Sequence, residues 1–244
     1  MMNFICTQSW TPLREAASSA SEMVTALLFG ETCTLVERKN DWLYVACNHD
    51  NYCGWVPDNY VTEKHEIHDD WNIPVLVHGA MLLNPEARID LSPGSLLPST
   101  LSCILESHKF MYSDARAFVA ENHDAVSLAK LFLHSPYLWG GRSVWGVDCS
   151  GLTQVTMGLT GKKLPRDASQ QVALGAEVQM PDALPGDLAF FEKNGSIHHV
   201  GIVLPNQQII HASGRVRIDN LTEKGILHQS AGKLTHQLAC IKRV

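Results

Sequence analysis

Among its seven cysteines the chain has no Cys-x-x-Cys pair, which removes the zinc-knuckle and thioredoxin-type readings. Cys6, Cys33, Cys47, Cys53, Cys103, Cys149 and Cys240 are odd in number and scattered. Free thiols in a reducing compartment are therefore expected, most of them packed as small hydrophobes. There is also no block or stripe of lysine and arginine. With 19 basic against 25 acidic residues the formal net charge is −6, so phosphate-led nucleic-acid binding has no electrostatic support. No apolar stretch approaches the roughly 20 residues needed to span a bilayer. The N-terminus, MMNFICTQSWTPLREAASSASEM, lacks a basic start followed by a long apolar run. These absences lead to the expectation of a soluble, cytoplasmic protein, monomeric and without nucleic-acid or membrane partners. No metal or cofactor is expected.

What is present suits two or three packed domains: 244 residues, 45% of them hydrophobic and 18% charged. From Val24 to Val61 the runs VTALLFG, TCTLVERK, WLYVACN and YCGWVP read as short strands separated by Asn/Asp/Gly turns. Closely spaced short strands suggest a small barrel. Gly30-Glu31, Asp41-Trp42 and Gly54-Trp55-Val56 resemble the bacterial SH3-like domain, with Trp42 and Trp55 expected in its core. TEKHEIHDD, residues 62–70, has no apolar period and reads as a linker. His65 and His68 within it have metal-ligand spacing on a helix, but a solvated connector is the simpler reading. A second β-rich stretch follows: PVLVHGAMLLN, LSCILES, FMYSD and RAFVA. It reads as a second, more divergent SH3-like barrel. The expected domains are 1–63, 64–122 and 123–244.

Composition then shifts. Asp124 can cap a helix AVSLAKLFLHS that Pro136 ends. The glycine- and tryptophan-rich loop PYLWGGRSVWGV leads into Asp148-Cys149-Ser150-Gly151 and a second helix, with Gly161 as its stop. Asp167 can cap a third, ASQQVALG. Beyond Pro185-Gly186 the period becomes two: DLAFFEK, HHVGIVLP, QQIIHAS, RVRID and LTHQLACIKRV. Helices followed by antiparallel strands make an α+β layout.

Cys149 sits where a helix N-terminus would favour a thiolate. Local sequence alone leaves a packed thiol and a nucleophile both open. A nucleophile needs a base on a rigid element. In HHVGIVL the two histidines point to opposite faces, and His199 shares one with Gly201 and Val203. The turn Pro205-Asn206-Gln207 brings the next run alongside, placing His211 near His199 as a group that can fix the imidazole's tautomer.

YLWGG, DCSG, PGDLAFF, HHVGIVL and IIHAS, in this order from Asp124 to the C-terminus, resemble the NlpC-type cell-wall peptidases, a papain-like cysteine peptidase family. The resemblance implies a papain-like catalytic domain behind the two SH3-like barrels. It implies Cys149 as nucleophile, His199 as base and His211 as third polar residue. Tyr137 matches the motif tyrosine that meets substrate or an oxyanion, and Asp148 and Ser150 flank the thiol as substrate-binding candidates. Two SH3-like domains together with Leu164-Pro165-Arg166-Asp167 further resemble the γ-D-glutamyl-L-diamino-acid endopeptidases. That likeness implies a short murein peptide with a free N-terminal L-Ala as substrate. It adds Arg166 and Asp167, and Glu22 and Tyr52 from the SH3 side, as binding residues. Ala168 departs from the serine of some relatives, which puts one contact in doubt. Trp139 and Trp145 can wall a subsite, and Arg142 either meets a carboxylate or braces its loop. A hydrolase of intact wall, an inactive peptidoglycan-binding protein and an acyltransferase are the alternatives.

Overall fold

Residues 2–64, 71–77, 79–98, 102–105, 108–112 and 123–244 are described by the computed structural model. They fall into two units: an N-terminal one that also takes in Trp139–Ser143, and a C-terminal one formed by the rest.

The N-terminal unit begins with β1 (Asn3–Ile5), β2 (Trp10–Arg14), β3 (Met23–Leu28), β4 (Thr32–Lys39), β5 (Trp42–Cys47), β6 (Cys53–Pro57) and β7 (Thr62–Glu63). They form one antiparallel sheet in the order β3-β2-β6-β5-β4-β1-β7. Period two decides which side chains enter its core. On β5 Leu43, Val45 and Cys47 are buried while Trp42 and Tyr44 are not. On β6 Val56 is buried and Trp55 is not. The expectation that Trp42 and Trp55 fill the core is therefore corrected: they occupy the alternate positions. Trp55 lies against its cross-strand neighbour Tyr44, ring centroids 5.1 Å apart. The core consists of Phe4, Leu13, Leu27, Leu43, Val45 and Val56 with three buried cysteines.

The following stretch carries β8 (Trp71–Pro74), β9 (Met81–Leu83), β10 (Arg88–Asp90), β11 (Leu96–Pro98), β12 (Ser102–Leu105) and β13 (His108–Tyr112). They make two small sheets, β10-β9-β13-β12 and β11-β8. PVLVHGAMLLN is thus not one strand: Pro74 ends β8, and β9 starts only at Met81. Ile5 and Phe29 from the first sheet join Trp71, Val75, Leu82, Leu97 and Phe110 in one buried cluster. Gly30 adjoins this seam with φ +81°, and a Cβ there would stand 2.1 Å from the Leu96 carbonyl oxygen. Only glycine fits. The expected strand RAFVA and the segment with His65 and His68 lie outside the described residues. β14 (Arg142–Ser143) belongs to this unit.

The C-terminal unit opens with α1 (Ala125–Lys130), whose first turn is capped by Asp124 accepting from the Ser127 N–H at 2.7 Å. Beyond Lys130 the chain tightens into i→i−3 bonds, Phe132 to Ala129 and Ser135 to Phe132, so the helix is shorter than the run to Ser135 suggests. Next come β15 (Gly146–Val147), α2 (Cys149–Leu159) and α3 (Ala168–Gln171). Every residue of α2 from Cys149 to Met157 is buried. Gly161, at φ +84°, ends it, with the Lys162 N–H bonded back to the Met157 carbonyl. The strands β16 (Ala176–Val178), β17 (Leu188–Lys193), β18 (Ser196–Leu204), β19 (Gln208–Ser213), β20 (Arg215–Thr222), β21 (Gly225–Leu227) and β22 (Leu234–Arg243) follow. Their order is β16-β22-β17-β18-β19-β20-β21, and β21 pairs again with β22, returning the sheet on itself. The apolar interior holds Ala189, Phe191, Val203, Ile209, Leu221 and Ile226. α2 packs on β18 and β19. Among the described residues no helix is long and apolar enough to cross a membrane.

Candidate active site

Asp148 starts the site by capping α2: its Oδ1 accepts from the Gly151 N–H at 2.7 Å. Arg166 donates to the same oxygen at 3.1 Å, to Asp148 Oδ2 at 2.5 Å and to Ser150 Oγ at 2.8 Å. Asp148, Ser150 and Arg166 are 4, 6 and 2% exposed. Their side chains therefore brace the helix start that carries Cys149. Sequence reasoning places the three as substrate-binding candidates; in the structure their side chains bond one another at the start of α2.

Cys149 lies on this first turn, 6% exposed. Its sulfur receives backbone N–H groups from Ser150 and from Val200, the residue after His199. Strand β18, which carries His199, thereby meets the thiol through its backbone. His198 is exposed and His199 buried, as alternation along β18 requires.

A chain of ring bonds runs back from His199. Its Nε2 lies 2.9 Å from His211 Nδ1, and His211 Nε2 lies 3.1 Å from Asp219 Oδ2. A carboxylate only accepts, so His211 carries its hydrogen on Nε2 and offers a lone pair at Nδ1. His199 must then donate from Nε2, which leaves Nδ1 as its basic nitrogen. Asp219 also accepts from Arg217 Nε at 2.8 Å and from the Gln229 N–H at 2.9 Å. Burial works to raise its pKa, but His211, Gln229 and Arg217 outweigh that and hold it below the usual carboxylate range. Space for this relay depends on Gly201: a Cβ there would sit 2.9 Å from the His211 Cβ and 2.8 Å from Ile209.

Charge states follow from the burial. Desolvation, then the Asp148 carboxylate, push the Cys149 thiol up to about 11, against the N–H groups of Val200 and Ser150 and the Arg166 charge. The missing solvent here outweighs these donors and the arginine. Burial, with His211, His236, His198 and Arg217 around it, holds His199 well below the ordinary 6.5. Both shifts favour the uncharged forms, thiol and imidazole. Tyr137 is half-buried and its hydroxyl is pushed up to about 12 by burial, Cys149 and Asp148, so it stays a donor. Asp167 precedes α3, and its N–H bonds to Gln170 Oε1 at 3.3 Å.

Residues 134–234 match the NlpC/P60 family, and residues 13–60 match the bacterial dipeptidyl-peptidase SH3 domain. A γ-D-glutamyl-L-lysine dipeptidyl-peptidase of Bacillus subtilis strain 168 is 30% identical over 225 residues, covering 82% of this chain and 76% of that protein. The chain belongs to the NlpC/P60 family. It is a peptidase type with an N-terminal SH3 domain. A Bacillus cereus protein with the same name as the B. subtilis relative is 28% identical over 88% of this chain and 75% of its own. In fold, this NlpC/P60 chain is similar to a crystal structure of a B. cereus NlpC/P60 protein, at TM-score 0.83, 22% identity and 99% coverage of both chains.

The remaining candidates of the NlpC/P60 protein, Trp145 apart, lie in the N-terminal unit. Glu22 is exposed, just before β3, and Tyr52 is half-buried in the β5–β6 turn, its N–H bonded to Asp50 Oδ1 at 2.9 Å. Arg142 braces rather than binds: it forks onto Glu31 at 2.6 and 2.9 Å and donates to the Ala26 carbonyl at 2.8 Å. Trp139 and Trp145 are exposed. Ligand atoms of Cys47, His49 and Asp50 gather within 4.8 Å of one another, although no metal was expected. His49 faces Glu31 there, and Glu31 is already held by Arg142. Sequence reasoning missed Asp219 and His236. The signal for Asp219 is its place two residues beyond Arg217, which pairs with His211.

Proposed function

We propose that the protein is a cysteine endopeptidase that cuts the γ-D-glutamyl–diamino acid bond of short murein peptides bearing a free N-terminal L-Ala. The observation that carries this is the buried Cys149 at the start of α2, met by the N–H of Val200, the residue that follows His199 of the His199–His211–Asp219 relay. The names of the two Bacillus relatives supply the bond and the short leaving fragment. Their dipeptidyl activity fits release of L-Ala-D-Glu.

In the reaction His199 Nδ1 takes the Cys149 proton as sulfur attacks the γ-carbonyl carbon. The resulting oxyanion is met by backbone N–H groups at the start of α2 and by the Tyr137 hydroxyl. The imidazolium returns its proton to the departing diamino-acid nitrogen, and the C–N bond breaks to leave a thioester. Water, losing a proton to His199, attacks the thioester and frees the D-Glu γ-carboxylate. His211 and Asp219 keep His199 in the tautomer that accepts at Nδ1. Asp148, Ser150 and Arg166 set the position of sulfur. Asp167, Glu22 and Tyr52 are proposed to meet the peptide's polar ends, an ammonium calling for charge-assisted partners. The boundaries 1–63, 64–122 and 123–244, with a divergent SH3-like second domain in an α+β chain, belong to the same reading. So do a monomeric state, a cytoplasmic place and a role in recycling trimmed wall peptides.

Mass spectrometry tests this with L-Ala-γ-D-Glu-L-Lys and its meso-diaminopimelate analogue, each with free and acetylated N-terminus, alongside purified sacculi. Release of L-Ala-D-Glu from the free tripeptides is expected. Cleavage of sacculi with the tripeptides left intact would contradict the substrate reading.

A further inference from the structure

His236 lies on β22, far in sequence from the other site residues, and no motif marks it. Its ring is stacked on that of His199, centroids 4.2 Å apart and planes 23° from parallel. On its own neighbours it stacks with His198 at 5.8 Å and 18°, and meets Phe191 edge-on at 6.1 Å and 66°. The His211 ring meets His199 at 5.1 Å and 85°, near the bond to Nε2. The His199 imidazole is therefore fixed twice: at one nitrogen by His211 and across its plane by His236. A hydrogen bond at Nε2 fixes the tautomer but leaves the ring free to rock about that contact. A parallel ring removes this freedom and aims Nδ1.

The backbone supports the placement. His236 pairs with Ile226 where β21 returns onto β22. The neighbouring Gly225 has φ +131°, and a Cβ there would stand 1.8 Å from the His236 carbonyl oxygen. Only glycine lets β21 approach closely enough to clamp His236 at this spot.

We propose that His236 is a positioning residue for the base: a neutral aromatic face that holds the plane of His199 and carries its imidazolium when the thiol proton arrives. A face that charged alongside His199 would repel it. Burial, then His211, His198 and Arg217, against a smaller pull from Asp219, hold the His236 ring down to about 4, so it remains uncharged at neutral pH. A π face beside a cation is attractive. The groups facing His199 itself are His211, His236, His198 and Arg217, all of which oppose its charge.

This inference rests on His199 as the base. The test compares full-length wild type, His236→Ala and His236→Phe, first by NMR titration of the His199 ring and then by kinetics on L-Ala-γ-D-Glu-L-Lys. In His236→Ala the His199 midpoint should rise toward 6.5, because a burying ring is lost. In His236→Phe, which keeps a ring, it should stay low. Turnover should fall about tenfold in His236→Ala through kcat, with KM little changed, and recover most of that loss in His236→Phe, since aim rather than binding is affected. A His199 midpoint and kcat unchanged in His236→Ala would overturn the role. So would a His236→Phe protein as impaired as His236→Ala. If wild type leaves the tripeptide uncut, the substrate reading falls, and the His199 titration still decides for or against His236.

Discussion

Buried thiols occur in both units, and comparing them shows how their surroundings differ. In the N-terminal unit, burial first of all pushes Cys6 and Cys33 up to about 12 and raises Cys47 well above the ordinary value. In the C-terminal unit burial does the same to Cys149. Both neighbourhoods hold a buried arginine–carboxylate pair, Arg142 with Glu31 and Arg166 with Asp148. Both also hold a nearby histidine. The difference lies in order. His49 stands 3.7 Å from Glu31 and 3.3 Å from Asp50, between two carboxylates. His199 instead has one nitrogen committed to His211 and the other left basic. All these thiols are buried; the ordered chain of imidazoles is what sets the C-terminal unit apart.

The largest test of that contrast is a pair of thiol deletions. Cys149→Ala should abolish tripeptide turnover, and Cys47→Ala should leave kcat unchanged at a temperature where it is folded. Equal losses would erase the distinction. Next in size is Asp219→Asn. An amide can donate to His211, which reverses both tautomers down the relay and leaves Nδ1 of His199 protonated. By the precedent of the orienting carboxylate in serine peptidases the loss of kcat should reach about 10²-fold or more, with KM nearly constant.

A third comparison sets Arg166→Met against Arg142→Met. Each removes the arginine from a buried ion pair, which costs about 3–5 kcal/mol, measurable by urea unfolding. Only Arg166→Met should slow alkylation of Cys149 by iodoacetamide under folding conditions, because only that pair adjoins the thiol. Slowing by both would show that the two pairs do not act separately. The smallest effect is on stability and acid. His199, His211 and His236 all have folded pKa values below the unfolded 6.5, burial being the first cause in each. The unfolded chain therefore takes up protons first, and stability should fall as pH drops below about 6.5. Asp50, held down to about 2 by His49 and the Tyr52 N–H against its burial, works in a lower window. Its contribution is present above about 4 and is lost only as pH falls toward 2. Melting temperatures between pH 8 and pH 5 should decline; a flat profile would contradict the uncharged histidine cluster.

Much of this was legible in the residues. Period two along HHVGIVL separated His198 from His199, and the turn at Pro205 brought His211 alongside. The capped start of α1 was written in Asp124. Asp219 escaped because the relay advances diagonally. Extending the Ile202–Ile210 register puts Gly201 opposite His211, and Arg217 is opposite His211 on the other side. Each polar partner thus sits two residues off its cross-strand neighbour. His236 escaped because its position depends on β21 returning to β22, a closure no local pattern encodes. The charge on Cys149 escaped because it depends on burial, which propensity does not measure. Trp42 and Trp55 misled because size suggested core, whereas alternation assigned them the other face.

The central claim is that Asp219 and His211 leave His199 neutral, with hydrogen on Nε2 and a bare Nδ1. Nitrogen-15 NMR of the histidine rings at pH 7 reads this directly. The account predicts neutral His199 and His211, each protonated at Nε2. A His199 protonated at Nδ1, or a doubly protonated imidazolium paired with a Cys149 thiolate, would contradict it.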